Sequence, residues 1–397
     1  MPGTSRLDPS LARYMPFAHS HLAGVYRVLS ALEDAVTVVH GPVGCHWQAS
    51  SLESLANPDL VRSTFSALKE ISIVYGGKSK LMKVLEITKQ YHKGKHLFVI
   101  TTPATEIVGD DLSDLESMAT IVSGVSLSGD VGEGMEYAYS VLAKFVDPRG
   151  QPGSGKPRVN IIGWQWDVVH SYEDAGELLY LLNNIVGVEV NSVVPRSLDD
   201  VRRMCHADIS LVFGYGESLA RKAEKLCGVP YRIVPFPYGL EGTISVLEIL
   251  ADTLGSGLDE SRVKKLEEHV MTRLRRYRDY LSVLIDMPVI VVGDPARLAF
   301  MTRLLTEELG MDLELAYANY GCRHSFNIPK LRLDYESVVE KLNNGVAVLG
   351  TDIEYALRNN TIVFSYPGAH RVSFEPYMGR GLVNVFSDIV NTYLLKT

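Results

Sequence analysis

The chain has 397 residues, of which 46% are hydrophobic and 22% charged, and its formal net charge is −8 at pH 7. This length exceeds what one ordinary core holds, so we expect two or three α/β units. The acidic balance favours neither a nucleic-acid nor an anionic-membrane partner, and no apolar run approaches the roughly 20 residues of a membrane span. The first residues have no apolar signal-peptide core, so we expect a cytoplasmic protein.

Alternating apolar segments predict a first Rossmann-like unit over residues 1–150. A β-branched run at 36–40 predicts a buried strand, and the pair Gly41-Pro42 predicts the turn that ends it. The other elements expected in this unit are strands at 97–102 and 121–127 and helices at 25–32, 78–91 and 132–146. Residues 147–157 are rich in Gly and Pro and predict a linker.

Two further units are expected behind the linker. The predicted segments are a second Rossmann-like unit at 157–242, a helical connection at 243–287, a third Rossmann-like unit at 288–366, and a C-terminal loop and helix at 367–397. Strands alternate with helices in each unit, which predicts parallel sheets with crossover helices. The predicted fold class is therefore α/β, with three Rossmann-like parallel-sheet units in a row.

Cys45 lies just beyond the first predicted strand, after the Gly41-Pro42 turn and Gly44. Ligands of open α/β sheets bind at the carboxyl ends of the strands, so a thiol held there suits chemistry or a metal. Gly44 would let the backbone pass close to a neighbour. The alternative is a small residue packed under the turn.

The chain has four cysteines, Cys45, Cys205, Cys227 and Cys322, without any CxxC spacing. So few cysteines argue against a disulfide framework, and one chain alone holds no complete metal site evident from spacing. We expect Cys205 and Cys227 to be buried and inert. Cys322 lies in a predicted loop, where either packing or a role near a substrate or partner cavity is open.

Nucleotide-binding motifs are absent from the predicted strand ends. Neither GxGxxG nor GxxxxGK[ST] occurs in the sequence. If the function needs ATP, a partner protein must bind it.

Four motifs together resemble the component-1 family of nitrogenase and nitrogenase-like reductases. They are His40-Gly-Pro-Val-Gly-Cys45, Val74-Tyr-Gly-Gly77, Glu106-Ile-Val-Gly-Asp-Asp-Leu112 and Val292-Gly-Asp-Pro295. With the three-unit layout, the resemblance covers nearly the whole chain. It implies two homologous subunits that share an iron–sulfur cluster, and an ATP-dependent iron protein that docks transiently and delivers electrons.

The resemblance also implies which of the two subunits this chain is. The family's metal-cofactor subunit carries a Cys after a strand of its second unit and a His near its C-terminus. Here these positions fall at about Gly214 and Phe364, neither of which can hold a metal. The chain is therefore similar to the β-type subunit of an α2β2 complex, with any large iron–sulfur cofactor and the small-molecule substrate mainly on the α-type partner.

Of the cluster ligands that the resemblance implies, this chain has one metal ligand, Cys45. Where nitrogenase subunits place two other cysteines, this chain has Pro103 and Ala18-His19-Ser20-His21. A [4Fe–4S] cluster needs four ligands, so the partner would supply three; a P-cluster-like [8Fe–7S] cluster is the alternative. Gly44, His46 and Pro103 are expected beside the cluster. His19 or His21 is either an extra ligand or a histidine bonded to backbone at a helix start.

The substrate is the least determined inference. The single cluster cysteine is similar to the Z subunit of chlorophyllide a oxidoreductase, but that subunit continues beyond the position where this chain ends. This favours methylthio-alkane reduction, with chlorophyllide-type reduction second and dinitrogen third. Two rivals of other classes are a non-catalytic scaffold for cofactor assembly and a periplasmic-type binding module.

The loop 164–170 is expected either to form a wall or interface or to pack.

Overall fold

The structure is a computed structural model that describes residues 20–50, 63–125, 129–149, 155–332, 334–342, 346–368, 373 and 375–395. Three sheets follow one another along the chain, and every strand pair in them is parallel. Helices cross between the strands, so the predicted fold class is confirmed. None of the described helices is both long and apolar enough to cross a bilayer.

The first sheet has the strand order β2-β1-β3-β4. Its strands are β1 (Ala35–His40), β2 (Ser63–Phe65), β3 (His96–Thr101) and β4 (Thr120–Val122). Its helices are α1 (His21–Ser30), α2 (Val43–Ser50), α3 (Glu70–Tyr75), α4 (Lys78–Tyr91), α5 (Pro103–Val108) and α6 (Val131–Leu142). All six residues of β1 are buried, as expected for a parallel strand covered by helices on both faces.

The second sheet has the order β6-β5-β7-β8. Its elements are β5 (Arg158–Ile162), α7 (Ser171–Leu181), β6 (Glu189–Val194), α8 (Leu198–Arg202), β7 (Ile209–Phe213), α9 (Glu217–Cys227) and β8 (Tyr231–Val234). Three helices then lead to the third sheet: α10 (Gly239–Leu254), α11 (Glu260–Arg275) and α12 (Arg278–Leu284).

The third sheet has the order β11-β10-β9-β12-β13. Its elements are β9 (Pro288–Gly293), α13 (Pro295–Arg303), β10 (Asp312–Ala318), β11 (Leu331–Arg332), α14 (Tyr335–Leu342), β12 (Ala347–Gly350), α15 (Asp352–Leu357) and β13 (Ile362–Val363). The helix α16 (Leu382–Ile389) follows. One continuous apolar core reaches all three sheets and includes Phe98, Phe213 and Val291.

Several predicted elements need correction. The strand predicted at 121–127 ends at Val122 among the described residues, and 126 and 127 lie outside them. Cys45 follows the predicted turn but lies in the helix α2, which the sequence analysis did not predict. Pro42 directly precedes the first helical residue, where its fixed φ and missing N–H do no harm.

Cys205 and Cys227 are joined in a disulfide, so the prediction of two separate inert thiols is wrong. Cys205 is fully buried, as predicted. Their Cα atoms lie 5.7 Å apart although the residues are 22 positions apart in sequence. The pairing arises because the segment after α8 and the end of α9 meet beside the second sheet, which sequence spacing does not reveal.

Candidate functional site

The candidate site is the carboxyl-terminal edge of β1 and β3, together with α2, α3 and α5, and we refer to it as the Cys45 edge. β1 ends at His40, Gly41 and Pro42 make the turn, and Cys45 lies in the first turn of α2. The Cys45 N–H donates to the Pro42 carbonyl at 3.2 Å. The thiol is therefore presented by a helix start at the ligand-binding edge of the sheet.

The turn before Cys45 is fixed from three directions. The Gly41 N–H donates to Ser66 Oγ at 3.0 Å, the Leu68 N–H donates to the Gly41 carbonyl at 3.0 Å, and Thr102 Oγ1 donates to the His40 carbonyl at 3.1 Å. A Cβ on Gly41 would lie 2.4 Å from Thr102 Oγ1. Glycine is thus required here, because the end of β3 passes against the turn.

The Cys45 thiol is half-buried and hydrogen-bonded by the Thr102 side chain. Burial raises the pKa of Cys45, and the bond from Thr102 only partly opposes that rise. The free thiol is consequently protonated at neutral pH. A metal would have to displace that proton, since the thiolate is the form that ligates.

Gly44 and its neighbours face open space. No described atom lies within 4 Å of a Cβ placed on Gly44. Val43 is 53% exposed and Trp47 is 64% exposed. The close neighbour predicted for Gly44 is therefore not part of the described chain.

His46 and Pro103 take different positions around Cys45. The His46 ring stacks on Phe65 at 4.5 Å between centroids, and its Nε2 lies 3.2 Å from Ser63 Oγ, so it is turned back toward β2. Burial lowers the pKa of His46. Pro103 is the first residue of α5, directly after the Thr102 that bonds Cys45. That His46 and Pro103 lie beside a cluster stays a prediction.

The two candidate histidines near the N-terminus are not brought to Cys45 by any described contact. His19 lies outside the described residues. His21 is buried, its ring lies 5.5 Å from that of Tyr137, and its N–H donates to the Gly129 carbonyl at 2.8 Å. No hydrogen bond joins His21 to Cys45 among the described residues. The bond to Gly129 is made by the backbone, and His21 Nδ1 has no hydrogen-bond partner among the described residues, so both alternatives for its side chain stay predictions.

Asp110 links two of the sequence motifs, a connection that sequence reasoning missed. The Gly77 N–H donates to Asp110 Oδ2 at 2.6 Å, and His40 Nε2 lies 3.7 Å from the same oxygen. Gly76 has a φ of +90°, and a Cβ there would lie 2.7 Å from Asp110 Oδ1. The paired glycines of the motif therefore let the acidic loop approach. One signal in the sequence could have predicted this contact. The glycine pair and the acidic loop are both family motifs, and both follow the Cys45 turn along the chain.

Large apolar side chains are exposed along this edge. Ile71, Val74 and Tyr75 of α3 and Ile107 of α5 are 64–80% exposed. We call these four, with Val43 and Trp47, the apolar surface of the Cys45 edge. Beside it, carboxylates line a cleft of about 240 Å³; they belong to Glu106, Asp110, Asp111 and Glu116. Exposed apolar groups mark an interaction site where they form one contiguous patch, and these six lie on three helices that follow strands of the same sheet.

The Cys45 edge fits one ligand of a cluster rather than a whole cage. Within the described ranges, no three His, Cys, Asp or Glu side chains are grouped so that they could hold a metal ion. A half-buried thiol beside open space can supply one thiolate. The remaining ligands of any iron–sulfur cluster would have to come from another polypeptide.

A second polar region lies where the three units meet, and we call it the three-unit junction. Arg27 of α1 forms an ion pair with Asp167 at 2.5 Å, and Arg297 of α13 forms one with Asp294 at 3.2 Å. The Arg27 guanidinium lies 3.6 Å from the centre of the Tyr366 ring. The remaining cavity at Arg27 and Asp167 is only about 20 Å³.

The positions expected for metal-cofactor ligands are both in buried backbone near this junction. Gly214 and Phe364 are fully enclosed. Cys322 Sγ donates to the Gly214 carbonyl at 3.1 Å, and burial raises the pKa of Cys322 to about 12. Cys322 is therefore a packed, protonated thiol. The loop 164–170 is also buried, with Trp164 2% exposed, which favours packing over an outer wall.

Comparison with known proteins agrees with this architecture. Three parallel Rossmann-like sheets with a cysteine at the edge of the first define a component-1 type subunit. The sequence pattern of the family "Nitrogenase component 1 type Oxidoreductase" matches residues 20–393, so the chain belongs to that family of oxidoreductase subunits.

Individual relatives are distant. The chain is 26% identical to the nitrogenase iron-molybdenum cofactor biosynthesis protein NifE of Methanosarcina barkeri, over 82% of this chain and 73% of that protein. It is also 26% identical to the B subunit of the light-independent protochlorophyllide reductase of Nephroselmis olivacea, over 97% of this chain and 81% of that protein. The solved structure "Nitrogenase Cp1 at pH 6.5" superposes with a TM-score of 0.76, at 17% identity, over 100% of this chain and 95% of that chain. That likeness concerns the fold alone.

Proposed function

We propose that this chain is the β-type subunit of a nitrogenase-like reductase and that Cys45 supplies one thiolate to an iron–sulfur cluster shared with a homologous α-type subunit. When bound, such a cluster relays electrons. An ATP-dependent iron protein is the proposed electron source, so the proposed site of action is the cytoplasm, where ATP is available. The assembly is proposed to be α2β2.

The observation that carries this proposal is the apolar surface around the half-buried thiol. Trp47, Tyr75 and Ile107 are each more than 60% exposed and lie on three elements at one sheet edge. Covering them would remove water from around Cys45 and from the open space beside Gly44. A homologous subunit is the proposed cover, because the isolated edge offers one thiol and a cluster needs four ligands.

The residues around Cys45 have separable roles under this proposal. Gly41 and Thr102 fix the turn, so the sulfur keeps one position whether or not a metal is bound. The Thr102 hydroxyl lies beside the sulfur, and turning its single proton from the His40 carbonyl to the thiolate would stabilise the negative charge. Trp47 would exclude water from one side.

The reaction site is proposed to lie on the α-type partner. In this chain the three-unit junction is filled by two buried ion pairs and aromatic rings, which leaves about 20 Å³. Such a space holds about one water molecule and excludes a metal cofactor or a tetrapyrrole. Among substrates we propose methylthio-alkanes first, then a chlorophyllide-type tetrapyrrole, then dinitrogen.

A second candidate is a scaffold on which an iron–sulfur cofactor is assembled. The observation that favours it is the similarity to NifE, which is named as a cofactor biosynthesis protein. A scaffold would need the same Cys45 edge and partner. It differs in releasing a cluster to another protein rather than turning over a substrate.

The test is purification of the chain with its co-expressed partner, followed by iron analysis and ATP-dependent reduction assays with the iron protein. Cys45→Ala should lower bound iron and reduce activity by at least about tenfold, since even indirect ligand contacts change affinity or activity by 10–100-fold. Cys322→Ala is the matched control, because that thiol is packed against Gly214, and it should leave both unchanged.

The outcomes separate the candidates. Turnover of a methylthio compound, a chlorophyllide-type pigment or dinitrogen identifies the substrate. Bound iron without turnover, together with cluster transfer to an iron-free acceptor, supports the scaffold. Equal iron content in the wild type and the Cys45→Ala complex would refute the assignment of Cys45 in either case.

A further inference from the structure

Two buried side-chain donors in the loop after β5 have no hydrogen-bond partner among the described residues. They are Nε2 of Gln165, a residue 3% exposed, and Nε1 of Trp166, a residue 9% exposed. The Gln165 amide cannot simply be reversed, because its Oε1 accepts from Arg27 Nη2 at 3.2 Å and from Arg297 Nε at 3.3 Å. Buried donors are rarely left unpaired, so an acceptor atom is expected beside them.

The space next to these donors has two parts. Gln165, Trp166 and Asp167 line the inner cavity of about 20 Å³, which has room for one oxygen atom. An outer cleft of about 220 Å³ opens at the surface between α7 and the residues that follow α1. Ala31 and Trp166 line both spaces and form the wall that the two share.

The outer cleft has an aromatic and apolar lining. The Trp166 and Tyr172 rings are 5.0 Å apart between centroids, and Leu179 of α7 is 39% exposed beside them. Arg196 and Glu33 also line the cleft and are joined by an ion pair of 3.4 Å, so neither offers an uncompensated charge. A flat, uncharged molecule suits these walls.

We propose that this cleft binds a small uncharged aromatic molecule with one carbonyl group, of the aromatic amide class. Its ring lies against Trp166 and Leu179, and its carbonyl oxygen enters the inner cavity to accept from Gln165 Nε2 and Trp166 Nε1. The site shares no lining residue with the Cys45 edge, so the proposal is independent of the cluster.

The charge distribution selects a neutral group over a carboxylate. Arg27 lines the inner cavity, and Asp167 already pairs with it there at 2.5 Å. A ligand carboxylate would therefore face the Asp167 carboxylate without a free counter-ion, at a place shielded from water. The volume of the outer cleft limits the ligand to about one ring, since pockets for drug-sized ligands measure roughly 300–1,000 Å³.

The test is a ligand-observed NMR titration of the purified full-length chain with benzamide. We expect saturable binding of benzamide and weaker binding of benzoate, which is charged, and of toluene, which has no acceptor. Cyclohexanecarboxamide, which lacks the flat ring, should also bind more weakly. Absence of saturable benzamide binding, or equal binding of toluene, would overturn the proposal and leave the inner cavity to a water molecule.

Two variants test the geometry. Trp166→Phe keeps a ring and removes the N–H, and it should weaken benzamide binding about fivefold while toluene binding is unchanged. Gly176→Leu should abolish binding by filling the outer cleft; no atom lies within 4 Å of a Cβ at Gly176, so the helix tolerates the change. Leu226→Ala, at an exposed site on another helix, is the control. Unchanged benzamide affinity in Gly176→Leu would place the ligand elsewhere.

Discussion

The Cys45 edge and the three-unit junction differ in whether their side chains find partners inside the chain. At the junction, Arg27 and Arg297 each have a carboxylate partner, lie against aromatic rings and have side chains no more than 2% exposed. At the edge, one thiol lies beside open space, and large apolar side chains face solvent. The two ion pairs of the junction are complete within this chain, whereas under the proposed function the edge is completed by another molecule.

This difference indicates which property of the protein each region affects. Charges buried at the junction are compensated inside the chain, so removing one partner would leave the other uncompensated, and only about 20 Å³ is left for a ligand. The apolar groups exposed at the edge stabilise the protein only when a partner covers them and removes them from water. Variants at the junction should therefore change the stability of the chain, and variants at the edge should change its assembly.

The largest expected effect is at the junction. Arg27→Ala removes the partner of Asp167 and leaves a buried carboxylate uncompensated, which should lower the free energy of unfolding by about 3–5 kcal/mol. Arg202→Ala, which breaks the exposed pair with Asp199, is the control and should cost less than about 1 kcal/mol. Urea unfolding followed by fluorescence measures both. Similar losses in the two variants would contradict the contrast between buried and exposed pairs.

The next effect is on assembly at the edge. Ile107→Asp places a charge in the apolar surface and should weaken binding of the partner subunit by about 30-fold, the effect of losing one strong interface contact. Tyr91→Asp is the matched control, since Tyr91 is 82% exposed at the far end of α4. Sedimentation velocity gives the dissociation constants. An Ile107→Asp chain that still pairs like the wild type would show that the partner binds elsewhere.

Two glycines only three residues apart should respond differently. Gly41→Ala forces a methyl group against Thr102 and should cost about 1–3 kcal/mol of stability. Gly44→Ala meets no atom within 4 Å and should leave the stability of the isolated chain unchanged or slightly higher. In the complex, however, Gly44→Ala should lower the iron content if a cluster lies close. Thermal unfolding and iron analysis separate the two effects.

The smallest expected effect is a pH dependence near the junction. Burial raises the pKa of Asp174 to about 7, although its Oδ1 accepts from the Tyr377 and Met378 N–H groups. Burial lowers the pKa of His170, which stacks on Tyr377, to about 4. From pH 4 to 6.5 the folded state holds the Asp174 proton and the unfolded state does not, so this group lowers stability as pH rises. His170 acts in the opposite sense, because only the unfolded chain protonates it there.

Asp174→Asn should expose the His170 contribution. Between pH 6 and pH 5 the variant should lose about 1 kcal/mol of unfolding free energy relative to the wild type, as one pKa unit corresponds to about 1.36 kcal/mol. Asp199→Asn, at an exposed carboxylate, should follow the wild type. Urea unfolding at the two pH values measures the difference. Parallel pH profiles for the wild type and Asp174→Asn would refute the inference that Asp174 and His170 have opposite effects on stability.

Much of the fold was determined by local sequence. Helical periodicity placed the helix Lys78–Tyr91 at the bounds that the structure has. Such patterns predict elements well, because the burial of one face is a local property of the sequence. The alternation of strands and helices likewise predicted three parallel sheets.

The candidate site was predictable only in part. The turn residues placed Cys45 at the end of β1, but the helix α2 that begins directly after the Gly41-Pro42 turn was not predicted. The contact of Asp110 with Gly77 and the pairing of Cys205 with Cys227 join residues 33 and 22 positions apart. No local pattern encodes such contacts.

The sequence by itself determined most of the elements, their parallel arrangement and the position of Cys45 after the first strand. Only the tertiary structure decided that Arg27 meets Asp167 across 140 residues and that Trp47 and Ile107 stay exposed. The reason is physical: hydrophobic periodicity depends on neighbours along the chain, whereas charge compensation and exposure depend on which distant segments pack together.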